Sequence, residues 1–356
     1  MFSAQRIKTV QRQDVVSIIE RDLPWNTFSG QRVVVTGASG FLGGYLTRTL
    51  LSLHSAGRTE QPVHVLALVR SSSKARRQLA DHLDCRHLEI LEFDLNDPLL
   101  PDVGEINFVL HAASQASPRF YGTDPVGTIL PNAIGTAALL RVLSRSAKPR
   151  AFLFVSSSEV YGSPLGNGPI SESRYGGIDP MEIRSCYAEA KRLGEALCAA
   201  WSQQYRIPTF VVRPFHTYGP GLQEDDGRVF SDFAFNVVRG ENIRMLSDGS
   251  ARRAFCYVSD AIAGFFTVLL RGNPATAYNV ANPSANLSVI ELAEMLSGLF
   301  PEKKIRVERC ESLKRENSVS AILPDIGRLT ALGWRPTTDP STGFRRMIEA
   351  YERSVE

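Results

Sequence analysis

Short runs of mostly apolar residues recur along this chain, separated by longer segments whose apolar positions fall at helical spacing. Val33-Val34-Val35 opens the first run, and residues 63–69, 88–93, 108–114, 151–155 and 209–213 are the next five. A continuous apolar run of about four to eight residues, closed by turn-forming residues, fits a strand covered on both faces. Residues 125–147 instead have the spacing of a helix that buries one stripe, with Asn132 inside it. Strands alternating with helices predict an α/β fold on a doubly wound parallel sheet. Beyond residue 215 the chain becomes loopier and richer in arginine. Its shorter elements, ending in Leu332-Gly333-Trp334 and a helix over 344–353, predict a smaller C-terminal α/β lobe. Ahead of the first strand, residues 1–30 read as a helical extension. Asp14 is its expected N-cap, Pro24 its stop, and Trp25 and Phe28 its anchors on the core. The expected division is thus 1–30 for the extension, 31–215 mainly for the sheet domain and 216–356 mainly for the lobe. The lobe makes the far wall of a cleft, and the chain is free to cross between the two.

Glycines add chemistry to the first strand. Thr36-Gly37-Ala38-Ser39-Gly40-Phe41-Leu42-Gly43 is a glycine turn between a buried strand and a helix. Such a turn lets backbone approach a pyrophosphate, which the helix N-terminus then meets with free N–H groups. The context predicts a Rossmann dinucleotide site with Gly37, Gly40, Phe41, Leu42 and Gly43 in contact with the cofactor. An NAD site often ends the second strand with an acidic residue. Here the strand ends in Arg70-Ser71, with Lys74, Arg76 and Arg77 following, so NADP suits this end as well as NAD. Asp94 and Leu95 are placed to touch the adenine. Ala112, Ala113 and Ser114 end the fourth strand in small residues where the cofactor would pass.

Functional groups of a parallel sheet gather at the carboxyl ends of its strands. The fifth strand runs into Ser156-Ser157-Ser158-Glu159. Tyr187 and Lys191, four residues apart in a segment free of proline and glycine until Gly194, share one helical face. An ammonium beside a phenol stabilises phenolate, so the tyrosine pKa is expected to fall from about 10 toward working pH. That makes Tyr187 a general base for a sugar hydroxyl held by Ser157, with Glu159 a carboxylate at the same strand end. In the arginine-rich region Arg228, Arg252 and Arg253 are candidates for clamping substrate phosphates.

Composition narrows the class. The chain has 356 residues, 43% hydrophobic and 22% charged, with a formal net charge of +3, which argues against nucleic acid as the main partner. Its five cysteines (85, 186, 198, 256 and 310) are scattered, without the pairing of a zinc site or a disulfide framework. No metal is expected. No apolar run was expected to reach the roughly 18 residues of a membrane span, and no secretory h-region opens the chain. A cytoplasmic protein with no membrane partner is the expectation.

Together these motifs resemble the extended short-chain dehydrogenase/reductase superfamily acting on nucleotide sugars. The likeness runs from about residue 30 to the C-terminus, carried by residues 36–43, the Ser157/Tyr187/Lys191 set and Arg213-Pro214-Phe215. Within it the chain looks most like the UDP-glucuronate decarboxylases. That likeness rests on His111-Ala112-Ala113-Ser114-Gln115-Ala116-Ser117-Pro118, Ser158-Glu159-Val160-Tyr161-Gly162, Arg184-Ser185-Cys186-Tyr187, Asp226-Gly227-Arg228 and Arg253-Ala254-Phe255. The resemblance implies transient oxidation of sugar C4 by bound NAD, loss of carbon dioxide from C5 and return of the hydride. It makes Tyr187 the base and Lys191 the residue that lowers its pKa and holds the nicotinamide ribose. Ser157 would orient the C4 hydroxyl and Glu159 would stand near C5. Pro214 joins the cofactor set, and Ser117, His216, Arg228 and Arg253 the substrate set. A homodimer through the helices holding 125–147 and 187–206 is implied too. The chain departs from the pattern at Ser157, usually threonine, at His216, commonly an asparagine facing the substrate diphosphate, and at Arg70.

Two enzyme alternatives stand beside this reading. A 4,6-dehydratase would want an Asp–Glu pair where this chain has Ser158-Glu159, and a 4-epimerase would leave Glu159 without work. A third alternative is a non-catalytic cofactor-binding sensor, against which the intact Ser157/Tyr187/Lys191 set speaks.

Overall fold

The computed structural model of the protein describes residues 4–163, 168–314 and 323–352. Its centre is a seven-stranded sheet, parallel throughout. The first six strands are β1 (Arg32–Thr36), β2 (His64–Val69), β3 (Leu88–Glu92), β4 (Phe108–His111), β5 (Ala151–Val155) and β6 (Thr209–Pro214). The lobe adds β7 (His216–Tyr218), β8 (Ile243–Ser247), β9 (Arg252–Tyr257), β10 (Thr276–Val280), β11 (Asn286–Ser288) and β12 (Val307–Lys314). The large sheet runs β10-β6-β5-β4-β1-β2-β3. Strand order therefore reverses between β1 and β4, where a doubly wound sheet opens a crevice at its carboxyl edge. β10 comes from the lobe's part of the chain and returns to the sheet beside β6. The lobe itself holds the β11-β9-β7 sheet and the β12-β8 pair.

Every residue of β4 and β5 is buried, which is why these strands read as unbroken apolar runs. The fourth run was read through to Ser114, but the strand stops at His111. There Thr36 Oγ1 donates to His111 Nδ1 (2.7 Å) and accepts the amides of Ala112 (3.1 Å) and Ala113 (3.0 Å). His111 Nε2 in turn donates to Pro131 O (3.2 Å), which assigns the tautomer, and burial pushes the imidazole pKa down to about 3.

Pro131 also shapes the helix expected over 125–147. The helix is Pro125–Leu130 and Thr136–Arg145, joined by a wide π turn at Pro131–Gly135. Proline has no N–H to donate into the ladder, so the turn widens around it. The stretch Pro125–Arg145 is 21 residues long and apolar enough to cross a membrane by length and composition, contrary to the sequence reading. It is mostly buried within the protein, as a core helix is.

The N-terminal helix, Ala4–Ile19, starts ten residues before the expected cap. Asp14 lies inside it, buried, and its carboxylate accepts from Tyr45 Oη (2.8 Å), Tyr257 Oη (3.0 Å) and Arg346 Nη2 (2.7 Å). A polar residue on an apolar stripe looks like a cap in sequence, and only the tertiary partners show otherwise. Burial pushes this carboxyl above the usual range, and the Tyr45, Arg346 and Tyr257 contacts pull it back. Trp25 and Phe28 are buried against Phe266, as expected. Arg21 Nη2 donates to the buried Asp260 (2.9 Å), a second tie between this segment and the rest of the chain. The last helix is Pro340–Tyr351, and Arg353 of the expected 344–353 lies outside the described residues.

Removing one member of a buried charged cluster leaves the others desolvated and unpaired. Asp14→Ala should therefore cost about 2–4 kcal/mol in urea unfolding. Arg12→Ala, on the same helix but with a largely exposed side chain, should stay within about 0.5 kcal/mol. Equal effects would mean that the cluster does not hold the extension.

Candidate active site

The carboxyl ends of the central strands and the facing lobe enclose a cavity of about 930 Å³. Every residue assigned above to the catalytic, cofactor or substrate set lines it, from Gly37 on β1's turn to Arg253 on β9. Arg252 does not. It points away to Glu291 (3.0 Å) and Asn286 O (2.6 Å), because neighbours on a strand face opposite sides.

One end of the cavity fits a dinucleotide. Gly37 sits at φ +67°, and a Cβ there would lie 2.9 Å from Ala113 Cα. A Cβ on Gly43 would collide with the Gly37 carbonyl. Only glycines allow this close stacking of turn, helix and β4. The helix Phe41–Ser52 makes its first internal bond from Gly44 N–H to Gly40 O (3.1 Å), so the amides of Phe41, Leu42 and Gly43 precede the ladder. Free N–H groups and the positive helix end suit a pyrophosphate. Arg70, Ser71 and Lys74 line the cavity at the end of β2, and Asp94 and Leu95 at the end of β3. Asp94 also accepts the Asn96 amide (3.0 Å), which fixes its turn.

The residues expected to be catalytic meet at the end of β5. The helix Cys186–Tyr205 carries Tyr187 and Lys191 one turn apart, both buried. Ser157 lies beside the Tyr187 phenol, where its hydroxyl favours the phenolate, and its Oγ accepts the Glu159 amide (3.2 Å). Lys191 Nζ donates to Val155 O (2.7 Å) and lies 5.6 Å from the Tyr187 ring centroid. The expected lowering of the tyrosine does not occur in the protein alone. Burial pushes Tyr187 up to about 12, against the Ser157 hydrogen bond, and pushes Lys191 down to about 7. Desolvation penalises the charged form of each group, and neither residue is among the causes of the other's shift.

Sequence reasoning missed the aromatic wall. Tyr121 stacks on Tyr187 (5.1 Å between centroids, 14° between planes), with the Arg184 guanidinium 5.5 Å from its own centroid. Both line the cavity. Arg184 stood in a quoted motif, but nothing in the spacing around Tyr121 singled it out. Glu159 is exposed into the cavity, close enough to Tyr187 and Tyr121 to raise both.

At the other end, Ser117 Oγ donates to Asp226 O (2.5 Å), and Arg228 pairs with the Asp226 carboxylate through Nε and Nη2. Arg253 Nη1 donates to Arg252 O (2.8 Å). His216 stands between them, its ring edge-on to Phe230 and Phe255 at 6.2 and 5.8 Å. Burial, then Arg253 and Arg228, push its pKa down to about 3.

Known proteins resemble this chain in sequence and in fold. UDP-glucuronic acid decarboxylase 6 of Arabidopsis thaliana is 34% identical over 91% of this chain and 89% of its own. UDP-glucuronic acid decarboxylase 1 of Danio rerio is 30% identical over 92% of this chain and 74% of its own. The fold matches that of UDP-glucose 4-epimerase from Thermotoga maritima, solved with UDP-glucose (TM-score 0.76, 22% identity, 91% and 100% of the two chains). It also matches UDP-glucuronic acid 4-epimerase from Bacillus cereus, solved with UDP-glucuronic acid and NAD (TM-score 0.73, 23% identity, 90% and 98%). Residues 33–281 match the NAD dependent epimerase/dehydratase family, and with a cavity of this build at the carboxyl edge of its sheet the chain belongs to that family.

Proposed function

We propose that this chain is an NAD-dependent decarboxylase of UDP-glucuronate, yielding a UDP-pentose. The observation that carries the reading is the position of Glu159. A free carboxylate opens into the cavity beside the Ser157/Tyr187 pair, where a 4-epimerase needs none and where the acid partner of a dehydratase pair is replaced by Ser158. The sequence likeness to the decarboxylases supports it.

Bound NAD supplies the hydride acceptor, and later donor, at sugar C4. Phe41, Leu42, Gly43 and the neighbouring turn would hold its pyrophosphate, and Lys191, Ala112 and Ala113 would lie along it. Ser157 orients the C4 hydroxyl, and Tyr187, once the charges of the complex have made it give its own proton to solvent, takes the hydroxyl proton as C4 becomes a ketone. The C5 carboxylate is then β to a carbonyl, so the C–CO₂ bond breaks with its electrons flowing into the ketone. The protein's part is to orient that carboxylate, stabilise the enolate and place a proton on C5. We assign the C5 step to Glu159. Tyr187 returns its proton to the C4 oxygen as the ketone is reduced, and the proton placed on C5 comes from solvent, so each cycle consumes one proton and releases one carbon dioxide.

The same proposal includes a homodimer, supported by exposed Val126, Ile134 and Leu193 on the helical segments along which a second copy would pack. A cytoplasmic location is supported by the four described cysteines being free; the side chain of Cys310 lies outside the described residues. Arg70 and Lys74, at a strand end without an acid, extend the cofactor site to the 2′-phosphate of NADP.

Incubation with UDP-glucuronate and NAD should release carbon dioxide and a UDP-pentose detectable by mass spectrometry. Loss of water would instead mark a dehydratase, and an isomer of unchanged mass an epimerase. Tyr187→Phe should lower kcat roughly a hundred- to ten-thousand-fold while NAD binding is retained. Glu159→Gln should spare C4 oxidation, seen as NADH absorbance in a single turnover, and slow carbon dioxide release by a similar factor. Release at the wild-type rate would remove Glu159 from the reaction. In fluorescence titrations Arg70→Ala should weaken NADP about tenfold and leave NAD within about twofold, as loss of one charge-assisted contact implies. Equal changes for both cofactors would place the 2′-phosphate elsewhere.

A further inference from the structure

His216 Nδ1 is a buried nitrogen without a hydrogen-bond partner in a ring that lines the substrate end of the cavity. A buried polar atom left unpaired costs free energy, and native structures retain one where a ligand or proton completes it. The groups around it define what that ligand would be. On β9, paired in register with β7, Arg253 lies on the cavity wall, and no carboxylate among the described residues pairs with it. From the loop before the helix Val229–Arg239 comes Arg228, whose charge is already matched by Asp226. Phe230 and Phe255 cover the ring edge-on. Tyr187 and Tyr121 are close enough to Arg228 to raise its pKa, and Glu159 is close enough to both tyrosines to raise theirs. This end of the cavity thus presents Arg253, without a carboxylate partner among the described residues, next to an imidazole that burial and then the two arginines keep neutral.

A nucleotide sugar brings a diphosphate with two negative charges at neutral pH. Asp226 cancels Arg228, leaving Arg253 one charge short of the ligand. With Arg253 and His216 facing the diphosphate, we propose that His216 takes up a proton from solvent as the anion binds. The anion reverses the sign of the local field, and the imidazolium then donates from both nitrogens to phosphate or neighbouring acceptors. An asparagine in this place would donate as well, but it would carry no charge and couple binding to no proton. This inference rests on the nucleotide-sugar reading above.

Isothermal titration of the Tyr187→Phe holoenzyme with UDP-glucose, in two buffers of different ionisation enthalpy, counts the protons. The background variant prevents turnover and removes the phenol from the titration. An uptake of about one half to one proton is expected near pH 7, with affinity falling roughly three- to tenfold per pH unit between the free- and bound-state pKa values and levelling off above the bound-state one. Tyr187→Phe/His216→Asn should bind with no buffer dependence and little pH dependence. Histidine ring resonances of the labelled protein, assigned by their loss in His216→Asn, should move to imidazolium positions on adding UDP-glucose. Binding without uptake, equal uptake in the double variant or an unmoved His216 resonance would overturn this inference and leave the nucleotide-sugar reading standing. No binding by either protein would remove both.

Discussion

A single close approach sets the geometry of the catalytic end. A Cβ on Gly194 would collide with the Phe154 ring, so glycine at this position lets the helix Cys186–Tyr205 settle directly on β5. That contact brings Lys191 Nζ within hydrogen-bond reach of the Val155 carbonyl and Tyr187 beside Ser157. It also carries Glu195 down to the sheet. Glu195 accepts from Ser156 Oγ (2.5 Å) and from Arg213 Nε (2.8 Å) and Nη2 (2.5 Å), tying β5, β6 and the helix together. A longer side chain at 194 would lift the helix and loosen all of these at once.

The electrostatics follow from the same tight packing. Tyr187 is held above its ordinary pKa, and Lys191, His111 and His216 below theirs, each first by burial. Neutral groups in a low-dielectric cavity respond strongly to any charge brought beside them. Substrate and cofactor both bring charge, so the pocket's working protonation state belongs to the complex and not to the chain alone. This is the physical reason for the difference between the sequence expectation for Tyr187 and its state in the protein: a neighbouring ammonium was visible in the spacing, whereas the depth of burial was not.

Much of the architecture was legible for the opposite reason. Strands buried on both faces must be apolar throughout, so β1, β2, β4, β5 and β6 stood out as runs, whereas β3 at the sheet edge is only partly covered, and the glycine turn after β1 marked one end of the cavity. What stayed hidden depended on distant partners. Asp14 looked like a helix cap until Tyr45, Tyr257 and Arg346 were found around it. Arg228 and Arg253 looked alike in sequence, and only the Asp226 carboxylate distinguishes a matched charge from an unmatched one. Tyr121 joined the site through a stacking contact with Tyr187, 66 positions away along the chain, that no periodicity announces.

The chemistry of the proposed reaction turns on whether a proton from solvent reaches C5 after the carboxylate leaves. Turnover of UDP-glucuronate in deuterated water, read by proton NMR of the isolated product, tests that step. Decarboxylation at the Glu159 end of the cavity predicts a UDP-pentose bearing one solvent deuteron at C5. Recovery of a six-carbon uronate, epimerised or unchanged and without deuterium at C5, would contradict it.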